Sequence, residues 1–374
     1  MSRNSEKNET DETGAVRRLT VLLEITKAVT GEVELEGLMM TLAEKAADAV
    51  DGERGAVFLF DEDTDELWSI AATGESEEIR FPADRGVAGH AARTGESLIV
   101  HDAYADPRFN VDVDKKTGYR TRDIICSPIL ETDGECIGVV EVLNKADGAF
   151  DEDDMDFLEA LSSQAAAAIR NARLFEERKR MFDSLIDVLG DSIESRDPYT
   201  AGHSREVMRY SVGIAEEMGL DEDDVEVIKY AALLHDYGKI GIPDEILGKP
   251  DGLTGDEFET IKQHAVYSRE ILGKIAFEKK LRAVPEIAGS HHERLTGGGY
   301  PDGLSGEEIP LGSRIIAVAD AFQAMTTNRP YRGAKTPGDA VSELEAGIGV
   351  DYDGDAVGAL VVFLTRNGVL EGGG

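Results

Sequence analysis

Five of the chain's seven histidines fall in its second half: His203, His235, His264, His291 and His292. In AALLHDYGKIGIPD, His235 and Asp236 stand side by side at the end of an apolar helical run, with Lys239 three residues on. In RIIAVADAFQAM, Asp320 lies on an apolar helical face, where an unpaired carboxylate would be costly. In HHERLTGGGYPDG, two adjacent imidazoles precede three glycines, a composition poor for helix or strand. Imidazoles and carboxylates converging from several helices of a bundle can hold two metal ions. Neighbouring helical residues point about 100° apart, so His235 and Asp236 cannot serve one ion alike, and the carboxylate is better placed to bridge two. The doublet His291–His292 supplies further donors, and the glycines after it let backbone and substrate approach the ions closely.

These donors need elements to carry them. From about 182 to 366 the sequence reads almost wholly as helix, with glycine-rich and proline-containing turns. Before it, a helical stretch runs from Asp151 to about Arg196, where Asp197-Pro198 should end it. Leu158, Leu161, Ala165, Ala168, Ala172, Phe175, Phe182, Ile186, Leu189 and Ile193 recur along it at alternating three and four spacing, with Lys179 out of pattern. That is a heptad seam on a helix of roughly 65 Å. Self-pairing in a parallel homodimer is the preferred account, and packing on the chain's own domains with Gly190 as a break is the alternative. Further upstream, helical segments at 16–30 and 36–50 give way to strand-like runs, RGAVFLF, ELWSIAAT, ESLIVHD, DIICSPIL and ECIGVVEVLN. The expected first domain is α+β, an antiparallel sheet flanked by helices.

Composition narrows the function. Net charge is -36, from 75 acidic against 39 basic residues, which argues against a binder of nucleic-acid polymers or anionic membranes. Acid spread evenly along the chain suggests adaptation to high salt. No apolar run approaches the roughly 18 residues of a membrane span, and MSRNSEKNETDETG lacks the apolar centre of a signal peptide, so a cytoplasmic protein without membrane insertion is expected. Cys126 and Cys136 lie in strand-like runs and read as buried thiols of a reducing compartment.

With these residues in view, the chain from 182 onward resembles the HD-GYP subfamily of the HD metal-dependent phosphohydrolases. The marks are His203 in GHSREV, HDYGK, His264 in IKQHAVYS, the doublet His291–His292, Gly299-Tyr300-Pro301, Asp320, and RPYR at Arg329 to Arg332. The resemblance implies an all-α helical bundle that hydrolyses cyclic di-GMP to pGpG, with GMP as a further product. It implies one divalent metal on His203, His235, Asp236 and Asp320, and a second on Asp236, His264, His291 and His292. The absence of cysteine donors favours iron or manganese. Lys239 would stabilise developing charge or help protonate the leaving group. Arg329 and Arg332 would reach phosphate, and Tyr300 with its glycine turn would shape the guanine side of the pocket. A third metal in some members uses a glutamate ahead of the first histidine, which the sequence does not place, so two metals are expected. Leu295 and Thr296 replace the usual tryptophan and aspartate, Gln323 stands where aspartate is common, and Gly354 where proline is usual. None of these is a metal ligand in the subfamily.

Residues 17–172 resemble a GAF domain, and Asn144, Lys145, Phe150 and Asp154 resemble the NKFDE motif of cyclic-nucleotide-binding members, with Met155 in place of the final glutamate. A cyclic nucleotide is one expectation for its ligand; another ligand, or a dimerising role, is the other. The expected layout is an acidic disordered tail at 1–15, a sensor at 16–172, a connecting coiled-coil helix at 151–196 and a phosphodiesterase at 182–374. Two other functions fit the residues: hydrolysis of another cyclic dinucleotide such as 3',3'-cGAMP, or a non-catalytic receptor for a dinucleotide or a partner protein.

Overall fold

The computed structural model describes residues 16–26, 34–69, 78–196, 202–249, 252–328 and 333–370. Two compact units divide the chain, 1–180 and 181–374. The acidic tail at 1–15 and the RPYR segment with Arg329 and Arg332 lie outside the described residues.

In the first unit, helices α1 (16–26) and α2 (Leu35–Ala49) precede strands β1 (Gly52–Asp61), β2 (Glu66–Ser69) and β3 (Ile79–Pro82). Helix α3 (Gly86–Thr94), strand β4 (Leu98–Val100), helix α4 (Val111–Thr117), strands β5 (Ile124–Leu130) and β6 (Cys136–Lys145), and helix α5 (Glu152–Glu194) follow. The strands form one sheet in the order β3-β2-β1-β6-β5-β4, and every pairing is antiparallel. Because strand side chains alternate between faces, Val57, Leu59, Val140 and Val142 pack with α2 and α5, while Ala56, Phe58, Cys126 and Val139 form a second cluster with α3. The sequence reading found five of the six strands. It missed β3, too short to show periodicity, and also α3 and α4.

The NKFDE-like residues brace this unit. Asn144 adopts φ 58, which asparagine tolerates better than most side chains. Its amide donates to Glu53, Tyr119 and the Arg120 carbonyl, and its Oδ1 accepts from Arg122 N at 2.6 Å. Lys145 and Arg18 both pair with the buried Asp154 carboxylate, and Phe150 is buried beside them. Met155 packs against the same core where the motif's last glutamate would stand.

Helix α5 shows what the heptad seam is for. Leu158, Leu161, Ala165, Ala168 and Ala172 are buried in the first unit's core, while Ile186, with Phe182 and Leu189, packs into the second's. Much of the seam is therefore buried against the chain's own residues; the same spacing arises whichever neighbour buries it. A different stripe, Leu174, Met181, Leu185 and Val188, is exposed at 54–60%.

The second unit is helical: α6 (His203–Glu217), α7 (Glu222–Leu234), α8 (Asp244–Leu247), α9 (Gly255–Leu272), α10 (Val284–Gly289), α11 (Leu311–Thr326), α12 (Pro337–Ala346) and α13 (Gly354–Arg366). Apolar faces of α6, α7, α11 and α13 meet in a core around Val207, Ile214, Leu234, Ile316 and Leu360. Asp221 caps α7, Asp353 caps α13, and Thr254 with Glu257 forms a capping box on α9.

Candidate metal centre

The seven nitrogen and oxygen donors come from six places in the helical unit. His203 opens α6, His235 closes α7, Asp236 begins the 3-10 turn Tyr237–Gly241, and His264 projects from α9. The pair His291–His292 follows α10 directly, and Asp320 lies within α11.

Asp236 stands between two groups of imidazoles. Its Oδ2 is 3.4 Å from His235 Nε2 and 3.7 Å from His203 Nε2, while Oδ1 is 3.3 Å from His264 Nε2. His203 Nε2 also lies 3.4 Å from Asp320 Oδ1. On the other side His264 faces His292, ring centres 5.0 Å apart, and His291 and His292 lie 4.0 Å centre to centre. Three clusters able to hold an ion result: His203, His235, Asp320; His235, Asp236, His291; and His264, His291, His292, the donor atoms of each within 4.8 Å.

The outer ring nitrogens decide whether these side chains fit a metal. His235 Nδ1 lies 2.6 Å from the Ala232 carbonyl, His264 Nδ1 2.7 Å from that of Ile261, and His291 Nδ1 2.6 Å from that of Ala288. A carbonyl only accepts, so each Nδ1 carries the proton and each Nε2 turns a bare lone pair inward. His203 does the same through Gln323, whose Oε1 accepts at 2.7 Å. As a result His203 Nε2 and His235 Nε2 face each other at 3.3 Å with no proton between them. Among the described residues, His264 Nε2 and His291 Nε2 are buried without a hydrogen-bond partner. Opposed lone pairs beside carboxylate oxygens repel unless cations sit among them, so the donor set fits divalent metal.

Electrostatics agree. Burial holds His203, His264, His291 and His292 below the ordinary histidine range, His291 at about 3, which keeps these rings neutral as ligands must be. Burial alone would raise Asp236, but the positive charge of Lys239 beside it outweighs that and keeps the carboxyl well below its ordinary value. Lys239 Nζ reaches Asp236 Oδ2 at 2.7 Å, at the edge of the cluster.

Two glycines bring the parts together. A Cβ on Gly238 would lie 1.9 Å from the His264 carbonyl oxygen, so only glycine lets the turn after Asp236 rest on α9. Ser268 locks that contact, accepting from Gly238 N at 2.8 Å and donating to the His235 carbonyl at 2.7 Å. A Cβ on Gly299 would lie 2.4 Å from Arg294 N, so Gly299-Tyr300-Pro301 folds back on the strand of chain after the doublet. There the Tyr300 ring lies 4.7 Å from that of His292, and the Tyr300–Pro301 bond is cis. Glu293 fixes the same loop by accepting from Asp302 N and Gly303 N. Thr296 N donates to the Val350 carbonyl.

Sequence reasoning missed Ser268, Glu293 and the part played by Gln323. Ser268 carried a signal: it follows His264 by four residues, on the same helical face.

The helical region and the sheet region each match a known family. Residues 34–169 match the GAF domain and residues 187–356 the HD domain. The chain thus has a region that matches a GAF domain, followed by one that matches an HD domain. Among curated proteins it is similar to the cyclic di-GMP phosphodiesterase of Thermotoga maritima, 43% identical over 187 residues, 50% of this chain and 50% of that protein. The cyclic di-GMP phosphodiesterase response regulator RpfG of Xanthomonas campestris pv. campestris is 42% identical over 186 residues, 50% of this chain and 48% of that protein. The 3'3'-cGAMP-specific phosphodiesterase 3 of Vibrio cholerae serotype O1 is 37% identical over 178 residues, 48% of this chain and 38% of that protein. The chain thus spans half or less of the length of these relatives.

Proposed function

We propose that the chain is a metal-dependent phosphodiesterase of the HD-GYP type that hydrolyses cyclic di-GMP to pGpG, and onward to GMP, under control of its GAF domain. The observation that carries this reading is Asp236, whose two oxygens face separate imidazole groups with their lone pairs turned inward. His203, His235, Asp236 and Asp320 would hold one ion, and Asp236, His264, His291 and His292 a second; the donors favour iron or manganese. Bound there, two divalent ions would supply Lewis-acid activation of water and of phosphate oxygens. The chain's own residues do the rest. Lys239 sits beside the bridging carboxylate, where its ammonium can stabilise charge on the departing ribose oxygen or protonate it. Tyr300, stacked beside His292, presents a flat wall for guanine, and Gly299 and Pro301 set its place. Arg329 and Arg332 are assigned to the substrate phosphates.

The substrate reading has one competitor. The relative specific for 3'3'-cGAMP, and the departures at Leu295 and Thr296, support that dinucleotide as an alternative. A receptor without catalysis has less need of seven convergent donors. We also propose that the sensor spans 16–172, the connecting helix 151–196 and the catalytic region 182–374. A parallel homodimer would pair through the connecting helix, with Leu174, Met181, Leu185 and Val188 as the exposed apolar stripe. Among the described residues no helix is long and apolar enough to cross a membrane, in keeping with the cytoplasmic placement we propose.

The test is direct. Protein reconstituted with Mn(II) or Fe(II) is incubated with cyclic di-GMP and with 3',3'-cGAMP, and the products are resolved by chromatography. Linear pGpG from the first substrate, lost at least 100-fold in Asp236→Ala, is the expected result. Turnover of 3',3'-cGAMP alone would move the substrate assignment, and no linear product from either would refute the hydrolase reading.

A further inference from the structure

The first unit contains an open cavity with about 740 Å³ of empty space, its mouth included, on the sheet face opposite α2 and α5. Its floor is strand β6 flanked by β1 and β5, where Glu141 lies between Ala56 and Cys126. Phe58, Phe81 and Phe109 supply aromatic walls, and α4 closes one side with Asp114. Sheet floors of this kind are normally apolar, and the neighbours of Glu141 on this face are alanine, cysteine and valine.

Glu141 makes no hydrogen bond or ion pair among the described residues, although it lines the cavity. Burial, with the nearby charge of Asp114 added, pushes its carboxyl up to about 7. Asp114 is engaged elsewhere: Oδ2 accepts from Tyr104 Oη and Thr121 N, and Oδ1 from Thr121 Oγ1. Arg54 is the one cation among the lining residues, and its guanidinium lies over the Tyr119 ring, 4.0 Å from the centroid. The cavity thus holds two carboxylates against one guanidinium, with aromatic faces around them. Such walls favour a cation, through the negative faces of the rings, and a buried carboxylate favours a planar pair of N–H donors.

We propose that this cavity binds a small organic cation with a flat N–H-bearing head, an amidinium or guanidinium, and that Glu141 is the acceptor that receives it. The assignment gives the GAF domain a ligand class opposite in charge to a cyclic nucleotide. It is independent of the hydrolase reading, since binding can be measured without metal or dinucleotide.

Isothermal titration calorimetry of the full chain with benzamidine and with benzoate, matched in shape and opposite in charge, tests it. Saturable binding of benzamidine, with benzoate at least 10-fold weaker, is expected. Glu141→Gln should weaken benzamidine at least 10-fold while leaving the melting temperature of the unliganded protein no lower, since it removes an unpaired buried acid. Equal binding of benzoate, unchanged binding by Glu141→Gln, or no binding of benzamidine to the wild type would each overturn the proposal. The comparison of the two probes on the wild type stands whether or not the variant folds.

Discussion

At the scale of single residues, the site depends on proton placement. Each of four imidazoles spends its Nδ1 proton on an outer acceptor, and the inward lone pairs follow from that. Three acceptors are backbone carbonyls that no substitution removes; the fourth is the side chain of Gln323. It also donates to Thr327 Oγ1 at 3.0 Å. Gln323→Leu should free the His203 ring and lower metal affinity about 10- to 100-fold, the usual cost of losing such an outer partner. Competition against a fluorescent chelator would measure this, and unchanged affinity would show that Gln323 does not orient His203. The seven donors were legible in the sequence because their types and local motifs are distinctive. Gln323 was legible only as a departure, because its contact spans 120 positions that no local pattern connects.

At the scale of elements, close approach determines whether the two halves of the site meet. The turn after Asp236 rests on α9 at Gly238, and Ser268 fastens it there. Gly238→Ala should push the turn away from His264, destabilise the helical unit by about 1–3 kcal/mol and reduce metal retention more than stability. Thermal denaturation with and without added Mn(II) would check this; a variant that gains as much from metal as the wild type would contradict it. The sequence showed a glycine after Asp236 but not a steric demand, since that comes from a carbonyl on another helix. The seam on α5 has a related limit. Hydrophobic periodicity reports that a face is buried, not what buries it. Strand β3 and helix α3 escaped notice because four residues, or nine containing two glycines, hold too little pattern.

At the scale of the whole molecule, charge sets the conditions under which the fold persists. A net charge of -36 repels itself across the surface, and many acids, such as Asp112 and Asp191, are largely exposed even when paired. Salt shortens the range of that repulsion to about 10 Å at 0.1 M and about 3 Å at 1 M. The melting temperature should therefore climb as KCl is raised from dilute buffer toward molar concentrations. A flat or falling trend would count against salt adaptation. The surface would also repel an anionic dinucleotide, so the cations of the site must supply the local attraction.

That requirement makes metal stoichiometry the most direct test of the account. Protein reconstituted anaerobically with Fe(II) or Mn(II), desalted and examined by elemental analysis should carry two ions per chain, and Asp236→Ala should carry fewer than one. A wild-type chain that retains no transition metal, or a variant without the bridging carboxylate that still retains two, would contradict it.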